Sequence, residues 1–310
     1  MITRRPLMPL LLLAFVLSWP LPAPASDDAF VSQAHAVRAA IQDFAGPAGL
    51  RLRSEQEWEA LLELLRDPDP SVRVSAARSL RNFVAQREEV RTALLGRYRD
   101  ETEDLDVRHA AAKTLSVASL DSRVRENLLD YARRGSELSL RVLSYKALYF
   151  CADSYPLVRQ ALLDAVERAG DKRERLGAIW GLFSASANSE VRRVLVETAR
   201  RGKDQDLRVE ALKSLYKTML NAEAVEPVYD MARDGAEEPA VRYPCILLLS
   251  AVGANRTREL LAELARRERD PRLREAAITA MNPSDERILR YFHLGGRTET
   301  GRILDPLESE

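Results

Sequence analysis

The chain has 310 residues, of which 30% are charged, and its 47 lysine and arginine side chains balance 47 aspartate and glutamate side chains. Nucleic-acid-binding proteins usually carry a basic excess, so this balance argues against a nucleic-acid partner. A chain of this length could form two compact domains, but the internal repetition described below predicts one elongated domain.

Residues 1–25 have the features of a secretory signal peptide. Arg4 and Arg5 precede the apolar run 10–17, and small residues before Ser26 favour cleavage after Ala25. The apolar run is too short to span a bilayer, so no membrane span is expected after signal removal. The sequence therefore predicts a periplasmic or secreted protein. The arginine doublet leaves open whether export follows the general or the twin-arginine route.

Residues 26–54 are predicted to form an N-terminal capping helix and a linker. Apolar residues recur there at helical spacing, and a glycine and a proline at 46 and 47 end the segment. A solenoid needs a terminal helix with one polar face, because its end unit has no outer neighbour.

A pattern of about 33 residues then repeats seven times between residues 55 and 293. Each unit has a first helix and a second helix, and the second helix begins with an acid followed four residues later by an arginine. Apolar residues one before and three, four and seven after the arginine form one stripe, as in Val72, Ala76, Ala77 and Leu80. The stripe is expected to face the stack.

The repeated acid and arginine are interpreted as structural. An acid at the N-cap stabilises the second helix, and the arginine is expected to pair with this repeated acid of its own or a neighbouring unit, giving an acid–arginine ladder. On this interpretation, Arg175→Ala lowers the melting temperature. The ladder consists of Asp69, Arg73, Asp104, Arg108, Glu137, Arg141, Asp171, Arg175, Asp204, Arg208, Glu238, Arg242, Asp270 and Arg274.

These units resemble HEAT repeats, specifically the short HEAT-like repeats of phycobilisome-lyase-type proteins. Residues 69–77 (DPSVRVSAA) and 104–112 (DLDVRHAAA) fit that pattern closely, whereas the fourth unit departs from it at Glu174 and Gly177. The resemblance implies an all-α protein, an α-solenoid (superhelix) of about seven two-helix repeats with N- and C-terminal capping helices. It also implies that the second helices line the concave side, and it implies little about activity.

The sequence does not predict a catalytic or metal site, and no cofactor is expected. The three histidines, His35, His109 and His293, belong to different units, so neither a metal cluster nor a Ser-His-Asp set is suggested. Cys151 and Cys245 lie about three repeats apart, beyond the reach of a disulfide, and are interpreted as buried thiols. A cofactor-free enzyme remains an open alternative.

A binding surface is predicted on the concave side. Positions five and eight residues after the repeat arginine point away from the stripe or lie at its edge, and they carry cationic and aromatic side chains. We call these positions the ridge: Arg78, Arg81, Lys113, Lys146, Tyr149, Trp180, Phe183, Lys213 and Tyr216. The alternative is that the aromatic residues only pack between neighbouring units.

The leading interpretation is a non-catalytic, protein-binding scaffold or adaptor of the cell envelope that binds a protein or peptide segment, acidic or extended, on its concave face. Two alternatives remain open at this point: a lyase-type enzyme acting on a tetrapyrrole or protein substrate, and a self-associating structural envelope component. Residues 294–310 are polar and are expected to be a disordered tail.

Overall fold

A computed structural model describes residues 55–292, and this range consists of consecutive α-helices. Seven pairs follow one another along the chain. The pairs are α1 (Glu55–Leu64) with α2 (Pro70–Ser79), α3 (Glu88–Arg99) with α4 (Leu105–Leu115), α5 (Ser122–Arg134) with α6 (Leu138–Ala147) and the short α7 (Tyr149–Ala152), α8 (Pro156–Arg168) with α9 (Lys172–Gly181), α10 (Ser189–Arg201) with α11 (Gln205–Ser214), α12 (Ala222–Arg233) with α13 (Pro239–Leu248), and α14 (Asn255–Arg267) with α15 (Pro271–Ala280); a last helix, α16, covers Glu286–Tyr291. The predicted α-solenoid architecture is confirmed.

Most second helices end in a single 3₁₀ turn. These turns cover Leu80–Asn82, Ser116–Ala118, Phe183–Ala185, Tyr216–Thr218 and Leu249–Ala251, and α7 occupies the same place in the third unit. The apolar stripe is buried as predicted: Val72, Ala76, Ala77 and Leu80 have almost no exposed surface. Its burial joins successive second helices into one continuous core.

The repeated acid stands at the N-cap of each second helix. The side chains of Asp69, Asp104, Asp171, Asp204 and Asp270 accept hydrogen bonds from backbone N–H groups of the first turn. Glu137 and Glu238 hold the same position without a side-chain cap bond. Aspartate is thus the residue that performs the capping.

Every repeat arginine donates a hydrogen bond to a backbone carbonyl at or just after the C-terminal end of its unit's first helix. Arg108 Nε lies 3.1 Å from the Tyr98 carbonyl, and Arg175 Nε lies 2.7 Å from the Ala169 carbonyl. The other five do the same: Arg73, Arg141, Arg208, Arg242 and Arg274. The carbonyls there lack intrahelical partners and carry partial negative charge, so each arginine ties the two helices of its unit together.

The ladder has different acid partners from those expected. Four arginines pair with glutamates of the next unit. The pairs are Arg73 with Glu103 at 2.6 Å, Arg141 with Glu174 at 2.7 Å, Arg208 with Glu237, and Arg242 with Glu268, which directly follows α14, at 2.7 Å. The physical reason is that each of these arginines is held at the end of its own unit's first helix by a backbone carbonyl. Neighbouring glutamates, with a longer side chain, reach the guanidinium instead.

The fourth unit's departures from the repeat pattern have a structural cause. Glu174 is the partner of Arg141, and Gly177 lies where α9 approaches α6 closely. A Cβ atom at Gly177 would lie 2.9 Å from the Val142 carbonyl oxygen, and one at Gly181 would lie 2.6 Å from the Tyr145 carbonyl oxygen. Both glycines therefore permit the close contact between α6 and α9.

The predicted signal peptide, N-terminal capping helix and tail fall on residues 1–54 and 293–310, outside the described range. Cys151 and Cys245 are free and buried, as expected. Burial raises the pKa of both thiols.

Candidate functional site

The second helices form the inner side of the stack. Successive second helices contact one another extensively, whereas successive first helices contact each other sparingly. Helices on the inside of a curved stack must lie closer together than those on the outside. The ridge positions therefore belong to the concave side.

Four aromatic rings meet on this side, at the junction of the third and fourth units. Tyr149 lies at the centre, with ring centroids 5.0 Å from Phe150, 5.3 Å from Trp180 and 6.0 Å from Phe183. We call these four residues the aromatic cluster. Trp180 packs against the core and is half-buried, so the packing between units that was considered as an alternative is present. Phe150 nevertheless keeps 39% of its surface exposed.

A lysine that the sequence analysis did not select lies over the aromatic cluster. The ammonium nitrogen of Lys217 is 4.6 Å from the Phe183 ring centre and 5.8 Å from that of Tyr149, and it lies 3.4 Å from the Tyr149 hydroxyl. Lys217 is exposed and belongs to the 3₁₀ turn after α11. Lys217 stands four residues after the ridge position Lys213, so helical spacing places it on the same outward side, and this spacing is a signal that could have identified it.

Lys213 and Tyr216 lie next to the aromatic cluster but are already in contact with other groups. The Lys213 ammonium lies 3.6 Å from a Glu210 carboxylate oxygen and 5.3 Å from the ring of Tyr291. The ring of Tyr216 lies 4.8 Å from that of Phe292, and burial raises the pKa of Tyr216. The end of α16 thus covers the last part of the ridge.

The cationic part of the ridge lies on the first three units. Arg78 is exposed, whereas Lys113 and Lys146 are half-buried. Arg81 donates a hydrogen bond of 3.1 Å to the Lys113 carbonyl and so links the first two units. The ridge therefore carries only cations in the first two units and combines lysines with aromatic residues from the third unit onward.

One contact between chemically reactive groups was not expected from the sequence. His109 Nε2 lies 3.0 Å from the Ser139 hydroxyl, which joins the second and third units, and burial lowers the pKa of His109. Within residues 55–292 no carboxylate accepts a hydrogen bond from His109, and no group of three or more His, Cys, Asp or Glu side chains is placed to hold a metal ion. No helix of this range is both long enough and apolar enough to cross a membrane.

A separate cleft of about 740 Å³ opens among the second helices of the last three units, α11, α13 and α15, and the final helix α16. Three of its polar lining residues are already engaged: Asp270 caps α15, and Arg287 pairs with the lining residue Glu275 at 3.1 Å and with Asp285 at 2.9 Å. The aromatic cluster presents rings and a cation to solvent, so it is the better candidate for a binding site.

Paired helices, a continuous inner core and a concave aromatic surface define an α-solenoid. The family model for HEAT repeats matches residues 58–148 and 192–282, which together make up more than half of the chain. The chain belongs to the HEAT-repeat family. No curated protein matches the chain at a significant level.

Several solved structures are similar over most of the chain at low identity. The complex of CpcE and CpcF of phycocyanin lyase from Nostoc sp. is 15% identical, with 78% of this chain and 96% of that chain covered and a TM-score of 0.45. Human deoxyhypusine hydroxylase in complex with glycerol is 18% identical, with 83% and 99% covered and a TM-score of 0.35. A mutant of Kap121p is 14% identical, with 80% of this chain and 32% of that chain covered and a TM-score of 0.49. At these identities and scores no activity follows from the similarities.

Proposed function

We propose that the protein is a non-catalytic scaffold or adaptor that binds a segment of a partner protein on its concave side, at the aromatic cluster. The observation that carries this proposal is the position of the exposed Lys217 over Tyr149 and Phe183, beside the partly exposed ring of Phe150. Aromatic rings and cations are the groups that most often dominate the energy of protein interfaces.

The groups at this site suit binding better than chemistry. Rings and amines offer contact area and positive charge, and the nearby carboxylate of Glu210 is occupied by Lys213. Catalysis by a serine needs a base that a third group orients, and in residues 55–292 the Ser139–His109 contact has no such carboxylate. A segment with acidic residues would complement Lys217 and the cationic start of the ridge.

We propose in addition that the protein acts in the cell envelope, on the basis of the signal-like residues 1–25. N-terminal sequencing of the protein purified from a fractionated cell tests this proposal. A mature chain that begins at Ser26 in the envelope fraction supports it. An intact chain that begins at Met1 and stays in the cytoplasmic fraction contradicts it.

Site-specific photo-crosslinking tests the binding surface. A benzoylphenylalanine placed at Phe183 should crosslink one partner protein in cells, and the additional change Lys217→Glu should remove that product. The same probe at Leu157, which is exposed on the first helix α8, serves as the matched control. Equal crosslinking of that protein from both positions, or crosslinking from Leu157 alone, would show that the aromatic cluster is the wrong surface.

A further inference from the structure

The last helix of the described range does not continue the stack of repeats. Its end turns back across the concave side, where Phe292 contacts Tyr216 and Tyr291 contacts Tyr243, with ring centroids 4.8 and 5.4 Å apart. Phe292 is only 1% exposed. Two consecutive aromatic residues thus pack against the fifth and sixth units, which precede the last unit in the chain.

The placement of α16 leaves the end of the stack partly uncovered. Ile278 and Met281 of the last unit remain 53% and 48% exposed. A capping helix normally covers the apolar side of the last unit. The aromatic end of α16 instead covers part of the predicted binding ridge.

The helix is held in place mainly by a few side chains. It has six residues, and a helix of this length is not stable without packing. The preceding residues Met281, Asn282, Pro283 and Ser284 are all exposed. Detachment of α16 therefore requires the loss of the contacts of Ile288, Tyr291 and Phe292 and of the exposed ion pair between Arg287 and Glu275, without disruption of the repeats.

The fit of Phe292 is imperfect. A cavity of about 20 Å³, which is room for about one water molecule, remains between Phe292 and the residues around it. Trp180, Phe183, Lys213 and Ser214 line this cavity together with Phe292. We call the site that Phe292 occupies, between Trp180, Lys213, Ser214 and Tyr216, the seat. A larger or differently oriented aromatic side chain would fill it more completely.

We propose that Phe292 is a replaceable occupant of the seat and that the partner protein binds by inserting an aromatic side chain of its own in place of α16. This inference rests on the proposed function, since it names the chemistry of the segment that the concave surface binds. The seat favours an aromatic side chain, because the ring of Tyr216 offers a stacking partner at 4.8 Å. The neighbouring ring of Tyr291 lies under the Lys213 ammonium, so a segment with two consecutive aromatic residues also meets a cation.

The physical consequence is competition between the partner and α16. A tethered segment acts at an effective concentration on the order of millimolar. It therefore lowers the apparent affinity of any ligand that must enter the same seat. Removal of the Phe292 ring should relieve this competition and increase the affinity of the seat for an aromatic segment.

A synthetic peptide of residues 284–298, which contains Tyr291 and Phe292, is a defined probe for the seat. Binding of the labelled peptide by fluorescence anisotropy should be about tenfold or more tighter for the full-length variant Phe292→Ala than for the unaltered chain. The same peptide carrying Phe292→Ala should not bind. The full-length variant Ile278→Ala, in which an exposed residue of α15 is shortened, should behave like the unaltered chain.

Circular dichroism establishes that each variant is folded. A folded Phe292→Ala variant that binds the peptide no better than the unaltered chain would overturn the inference. Hydrogen exchange of the unaltered chain gives a second test that needs no variant: the amides of residues 286–292 should exchange faster than those of residues 205–215. Equally slow exchange of both segments would show that α16 is a fixed part of the fold.

These results are separable from the proposed function. If the peptide fails to bind but the probe at Phe183 crosslinks a partner, only the replacement of Phe292 is wrong. If the peptide binds but no protein is crosslinked at Phe183, the seat exists and the proposed scaffold function is wrong.

Discussion

Individual arginines have two different environments in this protein, although arginine is among its commonest residues. Arg208 is held by the Ala199 carbonyl at 2.7 Å and by the half-buried Glu237, so both ends of its hydrogen-bonding fork are used. Arg173 pairs with Asp171 at 3.1 Å, but its side chain is 67% exposed. Burial, not the mere presence of an ion pair, decides which of the two stabilises the fold.

Arg208→Ala should lower the free energy of unfolding by about 2 kcal/mol, because the Glu237 carboxylate and the Ala199 carbonyl both lose a charged donor. Urea denaturation measures this difference. Arg173→Ala is the matched control, and it should change the unfolding free energy by less than about 0.5 kcal/mol. Equal losses in the two variants would contradict the role given to the repeat arginine.

The pH dependence of stability should contain a contribution from Glu237. Burial raises its pKa, but the hydrogen bonds from Arg208 and from the Glu238 N–H outweigh that effect and hold the pKa below its ordinary value. A carboxyl whose pKa is lower in the folded state stabilises the fold above its unfolded pKa, about 4.3, and this stabilisation is lost as the pH falls through the folded value.

The unfolding free energy of Glu237→Gln should therefore be lower than that of the unaltered chain at pH 7, and the difference should shrink as the pH falls below about 4.3. Denaturation curves at a series of pH values measure it. Glu197→Gln, which alters an exposed pair with Arg201, should give no such trend. A difference that stays constant from pH 7 to pH 3 would contradict this account.

At the scale of helices, the close approach of α9 to α6 depends on single glycine residues. The Cβ atom of an alanine at Gly181 would meet the Tyr145 carbonyl oxygen at 2.6 Å and a Leu162 methyl at 2.9 Å. A backbone carbonyl cannot move aside as a side chain can. The helix pair α6 and α9 would have to separate to accommodate the substitution.

Gly181→Ala should destabilise the protein by about 1–3 kcal/mol, because the clash outweighs the gain of about 1 kcal/mol in helix propensity. Gly96→Ala offers a control within α3, where no atom lies within 4 Å of the added methyl group. It should raise the unfolding free energy by up to about 1 kcal/mol. Thermal denaturation of both variants tests these two expectations. Stabilisation by both substitutions would refute the close-contact explanation.

Much of the helical architecture was predictable from the sequence. The apolar stripe, the cap acids and the period predicted the helix pairs and the start of each second helix, because these depend on local chemistry that every unit repeats. The ion-pair partners were not predictable. Glu103 and Glu237 stand next to the repeated acid in sequence, and only the packing of adjacent units decides which carboxylate reaches the arginine.

At the scale of the whole molecule, small differences between units accumulate. The contact between Tyr216 and Phe292 joins residues 76 positions apart, and it depends on the rotation between several successive units. The aromatic residues of the ridge could be identified from the sequence, but their coverage by α16 could not. Lys217 was not predicted either, although it stands four residues after Lys213 on the same helical face; only the packing of successive units places it over the ring of Phe183.

A charge reversal at Lys217 is the sharpest test of whether the aromatic cluster binds a protein segment. Lys217 is exposed, so Lys217→Glu should leave the fold intact while it removes the cation over Phe183 and Tyr149. Arg193→Glu changes the net charge equally on the first helix α10 and is the matched control. Titration calorimetry measures the affinity of the crosslinked partner for each variant. We expect the partner to bind Lys217→Glu about tenfold or more weakly than the unaltered chain, and to bind Arg193→Glu with nearly unchanged affinity. Equal affinities for both variants would contradict this expectation.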